Sequence, residues 1–319
     1  MKKSLLLFFA VLFLGLAGCS SKDPKPQTKC LVMKRTSTSG NYIDYTYNGN
    51  LLVKQEYKVA SGSVYFKIET TYSGTNIVRE ARIDNQTGGN ILVAEFLKEY
   101  SGNKIIKTQD SFYDRTTGKL RNQTIKTFTF DNNNNKVKEI VNMTFTNRQG
   151  VVSNFESMEE YEYNGKVLVK STSFSKNKAT NLFVKSGFTT YVHDTKGNLL
   201  TESNYDNNSQ APHSITKKTY NNENKLLTIK YTLNGLASEY TVSIYEYDAK
   251  GNLSLEVEFD EVGNKQYEYK ILREYDSKGN VIKSIEVDNN YYDPNLGEYL
   301  SSPFTSTTNT YTYEYQCSK

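Results

Sequence analysis

Tryptophan is absent from the 319 residues, and proline (5), methionine (4), cysteine (3) and histidine (2) are scarce. No His/Cys cluster has metal-ligand spacing, and no Gly-x-Ser-x-Gly elbow, phosphate loop or dinucleotide fingerprint occurs. No enzymatic activity, cofactor or metal is therefore expected. After Leu5–Leu16 no apolar run approaches 18 residues, which excludes a later membrane-spanning helix. No proline lies between Pro26 and Pro212, as a sheet that cannot spare a ladder donor requires. Neither charge dominates: 39 Lys plus Arg against 35 Asp plus Glu give +4, or +2 without Lys2 and Lys3. That balance is not the footprint of a nucleic-acid binder.

What is abundant is equally directive. The chain carries 26 Tyr, 15 Phe and 33 Asn. Aromatic residues favour pleated, half-buried surfaces and Asn favours turns, so the composition argues for β-structure. At the start, basic Met1–Lys3 and the apolar Leu5–Leu16 are too short to anchor a chain but suit a signal peptide. The run ends in Leu16-Ala17-Gly18-Cys19, which resembles the lipobox of bacterial lipoproteins. The resemblance implies cleavage after residue 18, lipidation of Cys19 and a tether over 19–29, with Pro24 and Pro26 keeping it extended. Acyl chains would then hold a single domain, 30–319, at the membrane, as a periplasmic or surface-exposed outer-membrane lipoprotein.

One pattern returns along the mature chain: an aromatic residue, a Gly/Asn turn, then an apolar run alternating with Lys and Glu. Copies include YTYNGNLLVKQEY from Tyr45, EYSGNKIIKTQ from Glu99, YEYNGKVLVKSTSF from Tyr161 and YEYDAKGNLSLEVEF from Tyr245. The pre-turn residues are Tyr47, Tyr72, Tyr100, Phe130, Tyr163, His193, Tyr220, Tyr247 and Tyr275, spaced 25 to 33 residues apart. Each copy reads as a β-hairpin, because Asn-Gly accepts positive φ in two-residue turns and Asp-x-Lys-Gly-Asn suits a longer one. The flanks suggest alternating faces, Leu51, Val53, Tyr57 and Val59 opposite Lys54, Glu56 and Lys58, and Leu253, Leu255, Val257 and Phe259 opposite Ser254, Glu256 and Glu258. A repeat of about 28 residues is two strands and two turns. Strand direction alternates, so all Gly/Asn turns fall on one edge, and length-variable turns such as 84–90, 147–154, 175–181, 205–213 and 260–264 fall on the other.

The Tyr-x-Tyr-Asp-x-x-Gly-Asn motif at 245–252, with relatives at 191–198 and 274–280, resembles the YD repeat of Rhs-type proteins and of uncharacterised porin-like lipoproteins of Bacteroidota. The resemblance covers roughly residues 40–315 and implies a long β-meander curling into a shell or barrel, with no reaction attached. One initial strand, eighteen from nine repeats and one final strand make about twenty. That parity puts Cys30 and Cys317, outside the reducing cytoplasm once Cys19 is lipidated, on the same edge. A Cys30–Cys317 disulfide would close a meander whose free edges invite aggregation. Half-polar strand rows, as in Leu199, Thr201, Ser203 and Tyr205, lack a lipid-facing band. The expectation is an all-β, soluble, flattened barrel or shell whose Tyr/Leu/Val faces meet about 10 Å apart.

Function is less legible. His193 sits in a tyrosine slot, His213 in a Pro-containing loop, and the Glu159-Glu160 pair on alternating faces. The longest variable loop, Asp288 to Phe304, carries Tyr291, Tyr292, Tyr299 and Phe304, which makes that edge a candidate surface for a glycan or protein partner. Two readings follow: a monomeric, non-catalytic binding module anchored at the envelope, or a carrier of a lipid or other apolar ligand between the β-faces.

Overall fold

The computed structural model describes residues 30–86, 89–147, 149–233, 239–293, 298–299 and 301–317, with 293, 298–299 and 317 described by backbone only. Cys19 and the 19–29 tether lie outside the described residues. Strand β1 (Cys30–Ser37) leads into nine hairpins: β2 (Tyr42–Asn48) with β3 (Leu51–Lys58), β4 (Val64–Ser73) with β5 (Asn76–Asp84), and β6 (Ile91–Ser101) with β7 (Lys104–Tyr113). They continue as β8 (Leu120–Phe130) with β9 (Lys136–Thr146), β10 (Val152–Asn164) with β11 (Val167–Lys176), and β12 (Phe183–His193) with β13 (Leu199–Asp206). The last three are β14 (Ser214–Tyr220) with β15 (Leu226–Leu233), β16 (Tyr240–Tyr247) with β17 (Leu253–Phe259), and β18 (Lys265–Tyr275) with β19 (Val281–Asn290). A two-stranded excursion, β20 (Tyr292–Asp293) and β21 (Glu298–Tyr299), precedes the final β22 (Thr305–Cys317).

From β1 to β19 each strand pairs antiparallel with its chain neighbours, β20 and β21 pair only with each other, and β22 pairs with both β19 and β1, so twenty strands form a closed barrel. Its Gly/Asn rim and its variable rim are those expected from strand parity. The turns follow side-chain chemistry. In the longer Gly/Asn turns one Asp oxygen takes two backbone N–H groups, as Asp194 does from Lys196 (2.9 Å) and Asn198 (2.8 Å). The left-handed position is Gly197 there, at φ +87°, but Asn134 and Asn224 in the Asp131 and Asn221 turns, at φ +68° and +63°. Asn tolerates that region better than other side chains.

Alternation of faces does not survive the turns unchanged. In every hairpin the register shifts immediately before the pre-turn aromatic: Tyr47 faces Leu52 while Thr46 faces Lys54, leaving Val53 as an extra residue. Tyr247 likewise faces Leu253 while Glu246 faces Leu255. Leu253 therefore shares a face with Tyr247, Tyr245, Glu256 and Glu258, not with Leu255 and Val257. This corrects the strict period of two: a β-bulge adds one residue and switches the side of everything beyond it. The terminal strands repeat the device, since Tyr315 faces Val32 while Glu314 faces Lys34. They make a tenth hairpin in which facing Cys30 and Cys317 stand where the turn would be.

Adjacent hairpins do not pair all the way to the Gly/Asn rim. The β3–β4 ladder ends at Lys54↔Glu69, leaving the segments beyond it unpaired with each other. The pre-turn tyrosines bridge these splits. Tyr72 donates its hydroxyl to the Leu52 carbonyl (2.9 Å), Tyr100 to Ile77 (2.8 Å), Tyr163 to Lys136 (3.0 Å), Tyr220 to Leu199 (3.0 Å) and Tyr247 to Leu226 (2.9 Å). Across the closure, Tyr315 donates to Val281 (2.7 Å) and Tyr47 to Val32 (2.9 Å). Each acceptor is the residue facing the previous hairpin's aromatic, so the belt passes through the tenth hairpin as through the others. At Leu253 the donor is Arg273, and Tyr275 donates instead to Asp248 (2.6 Å). Phe130 carries no hydroxyl; Lys104 lies 5.3 Å from its ring centroid.

The face bearing these tyrosines is concave. Along the strands leading to the Gly/Asn rim Tyr161, Tyr163, Tyr245, Tyr247, Tyr311, Tyr313 and Tyr315 are half-buried while the alternating Glu162, Glu246, Thr312 and Glu314 are exposed, as the inner and outer walls of a closed barrel require. The lumen is not dry, however: Tyr45, Tyr161, Tyr191 and Tyr269 are part-exposed, and the buried apolar residues are Ala81, Ala94, Met158, Val257, Ile271 and Tyr291. Inward carboxylates such as Glu202, Glu256 and Glu258 interrupt the Tyr/Leu/Val faces. The outer wall near the Gly/Asn rim is charged, with ion pairs Glu99–Lys107, Glu162–Lys170 and Glu274–Lys283, each 2.6 Å, at equivalent places in their hairpins.

Removing one belt hydroxyl, Tyr247→Phe, should cost about 1 kcal/mol, while Phe130→Tyr supplies a missing donor and should stabilise by up to about 1 kcal/mol. Urea unfolding checks both, and equal stability of all three proteins would show that the belt is inert. Hydrogen bonding to Asn198 and Asn280 holds the carboxyls of Asp194 and Asp276 below their ordinary value of 3.8. A depressed folded value means stability present above the unfolded pKa and lost as pH falls through the folded one. The thermal midpoint should therefore drop below about pH 4, and less steeply in Asp194→Asn/Asp276→Asn, since Asn221 accepts the same turn hydrogen bonds without a charge.

Candidate functional site

The lumen wall carries clusters of phenols and charges. Near the closure, Arg35 pairs with Glu286 (2.7 Å) and lays its guanidinium on the Tyr311 ring, 3.5 Å from the centroid. Tyr313 and Ser284 share a hydrogen bond (3.0 Å), and Tyr267 donates to Asp288 (3.1 Å). Burial pushes the Tyr315 phenol up to about 12 and lifts Tyr45 higher, although Arg35 partly offsets the latter. These phenols are permanent hydrogen-bond donors at neutral pH. Glu258 is raised by burial and then by Glu256, and Asp110 by burial despite Lys126 and Lys98.

A second cluster lies about half a turn away on β8–β12. Glu139 and Glu159 are register partners facing inward, and the Tyr161 hydroxyl donates to both at 3.1 Å. Desolvation would raise the Glu139 carboxyl, but Lys136 (2.7 Å), Lys126 (3.4 Å) and Tyr161 outweigh it and hold it low. Immediately below, the wall loses its bulk. Ser157, Ser173 and Ser175 take inward positions on β10 and β11, and Gly187 faces Ser173 on β12. A side chain at 187 would meet the Tyr205 carbonyl at 2.6 Å, so the wall is bare there by necessity. The result is a hollow of about 200 Å³ lined by Glu139, Val141, Phe155, Ser157, Met158, Glu159, Ser173, Phe174, Ser175 and Ser186. The chain carries hydroxyls on the floor, carboxylates at one end and the 44% exposed Phe155 at the other.

The residues singled out on the variable rim behave differently from one another. Tyr291 is 7% exposed, its N–H bonded to the Gln266 carbonyl (3.0 Å) and its ring 5.2 Å from the Lys265 ammonium. It covers the wall and is not displayed, because its N–H and ring lie along β18. Tyr292 is half-buried and paired through its backbone with Tyr299 across β20–β21. The Tyr299 side chain lies outside the described residues, and Phe304 is 38% exposed. The loop thus folds back on itself, bringing Tyr292 and Tyr299 to one level and leaving Tyr291 in the wall.

Glu159 and Glu160 point to opposite faces and form no pair. The His193 Nδ1 is buried without a partner, and the His213 Nδ1 stands 3.5 Å from Asp206 Oδ1. Among the described residues no three His, Cys, Asp or Glu side chains are grouped so as to hold a metal. The hollow drew no attention from sequence, because its serines lie on separate strands and are unremarkable one at a time; the run Ser171-Thr-Ser-Phe-Ser175 was the available signal.

No family model and no curated protein matches the chain. Among solved structures, a porin-like protein from Bacteroides uniformis is similar at 14% identity, covering 69% of this chain and 96% of that one, with a TM-score of 0.30. The TcdB2-TccC3-TEV chain is similar at 12% identity over 88% of this chain but 15% of its own length (TM-score 0.31). A Bacteroides fragilis protein of unknown function is similar at 15% identity over 39% of this chain and 91% of that one (TM-score 0.27).

In Tyr161→Phe the Glu139 carboxyl should titrate at higher pH than in the parent, since one of the groups holding it low is gone. Carboxyl-carbon NMR titration reads the shift, and an unchanged value would mean that Lys136 and Lys126 alone set it.

Proposed function

We propose that this protein is a non-catalytic binding module of the cell envelope, a monomeric YD-repeat-like lipoprotein anchored in the outer membrane through Cys19. The observation that carries the reading is the lumen: a part-exposed concave wall of tyrosine hydroxyls, serines and carboxylates, built to hold a polar ligand by hydrogen bonds. Because β1 begins at the Gly/Asn rim, a tether ending at Cys30 leaves the variable rim on the far side, with Tyr292 and Phe304 at the entrance. An apolar cargo is disfavoured by inward Glu202, Glu256, Glu258 and Asp288. A glycan-array screen of the mature protein, with a parallel phospholipid- and fatty-acid-extraction assay, tests this. Retention of a polar glycan and no lipid is expected; extraction of lipid would replace the module by a carrier.

The reading includes a Cys30–Cys317 disulfide. Facing residues of an antiparallel pair have Cα atoms about 4.5–5.5 Å apart, inside the disulfide range. Such a bridge would complete the tenth hairpin in place of its missing turn and contribute on the order of 4 to 5 kcal/mol at most. Peptide mapping without reductant should recover the two cysteines in one linked species; alkylation of both would leave closure to the β1–β22 ladder alone.

A further inference from the structure

We infer that the hollow between β9 and β12 is a subsite for one uncharged sugar ring. The inference rests on the binding-module reading and names its ligand class. Size comes first: about 200 Å³ is below the roughly 300 Å³ at which pockets for drug-sized ligands begin, so a single ring fits and the remainder of a glycan would continue into the lumen. Chemistry comes second. The floor presents the hydroxyls of Ser157, Ser173 and Ser175, each able to donate and accept, and that of Ser186, which donates to the Ser173 carbonyl (3.1 Å) and keeps acceptor capacity, a set that matches a ligand that is itself a ring of hydroxyls. At one end the Glu159 carboxylate takes one hydrogen bond from Tyr161 and retains acceptor capacity for a vicinal diol. At the other end Phe155 offers an apolar ring for the C–H face of a pyranose.

Charge decides between a sugar and an amine. Glu139 and Glu159 together carry −2, and Lys136 and Lys126, both on Glu139, return +2. The cluster's net charge is zero, so a cationic ligand would gain from Glu159 alone while being repelled by Lys136 and Lys126, and an anionic one would be repelled by Glu159. Both lose against a neutral polyol, which exchanges hydrogen bonds with water for hydrogen bonds with the wall without burying net charge. Elsewhere on the inner wall small residues lie buried beneath their neighbours, as Ser171, Ser243 and Ser284 do, whereas around Ser157, Ser173, Ser175 and Gly187 the space above them is open.

The test uses the mature protein with amide-resolved NMR and a panel of glucose, galactose, mannose and N-acetylglucosamine, alongside glucosamine and glucuronate. At least one neutral sugar is expected to shift amides of residues 155–159 and 173–175, with a Kd on the order of 0.1–10 mM, as befits one ring. Ser175→Phe, which fills the hollow at an exposed position, should weaken that binding at least tenfold while the unfolding midpoint stays unchanged. Ser175→Ala, which removes only a hydroxyl, should weaken it less. Glucosamine or glucuronate binding as tightly as the neutral sugars, or a neutral sugar indifferent to Ser175→Phe, would overturn the inference. Perturbation by a glycan of lumen amides elsewhere would overturn this site while leaving the binding module standing; extraction of lipid with no sugar shift would remove both.

Discussion

Everything in this barrel depends on one extra residue placed just past each Gly/Asn turn. The bulge at Val53, and its counterparts in the other eight hairpins and at Met33 in the terminal pair, increases local twist and splits neighbouring hairpins apart near the rim. The splits would leave backbone carbonyls unpaired. At seven of the ten joints a tyrosine hydroxyl from the following hairpin reaches such a carbonyl, so the residue that gives the repeat its appearance in sequence is the one that most often reconnects the sheet. The terminal strands can join this scheme because they carry the same bulge and the same tyrosine. Closure is therefore the tenth instance of a repeated joint, requiring no geometry of its own.

The joint also decides what the lumen is. With the side switched at each bulge, the pre-turn tyrosines turn inward and take alternate residues of both flanking strands with them. On β17 and β19 those residues are Glu256, Glu258, Glu286 and Asp288, and the interior is charged and wet. Cations answer only part of this: Arg35 meets Glu286, and Lys136 and Lys126 meet Glu139, while burial raises Glu258.

Much of the architecture was legible in the chain. Twenty strands, two rims of different character and the placement of Cys30 and Cys317 on the same rim all follow from counting strands between turns, since direction alternates whatever the details of packing. The bulges were invisible to periodicity because apolar residues occupy both adjacent places, Leu52-Val53 and Ile105-Ile106 among them, so a slip of one leaves the pattern looking unbroken. Tyr291 was placed with its exposed neighbours because sequence shows a tyrosine in a long loop, and only the fold lays it against Lys265. The hollow was harder still. Its serines come from β10, β11 and β12, and a gap in a wall is defined by what surrounds it.

Sequence alone determined the class, the repeat, the strand parity and the chemistry of the turns, because these are local properties or consequences of counting. Tertiary structure decided which residues face the lumen, whether the wall is dry, how the termini meet and where the bulk is missing. Those outcomes turn on a single-residue register shift at each hairpin and on contacts between strands, and no local pattern of side chains encodes either.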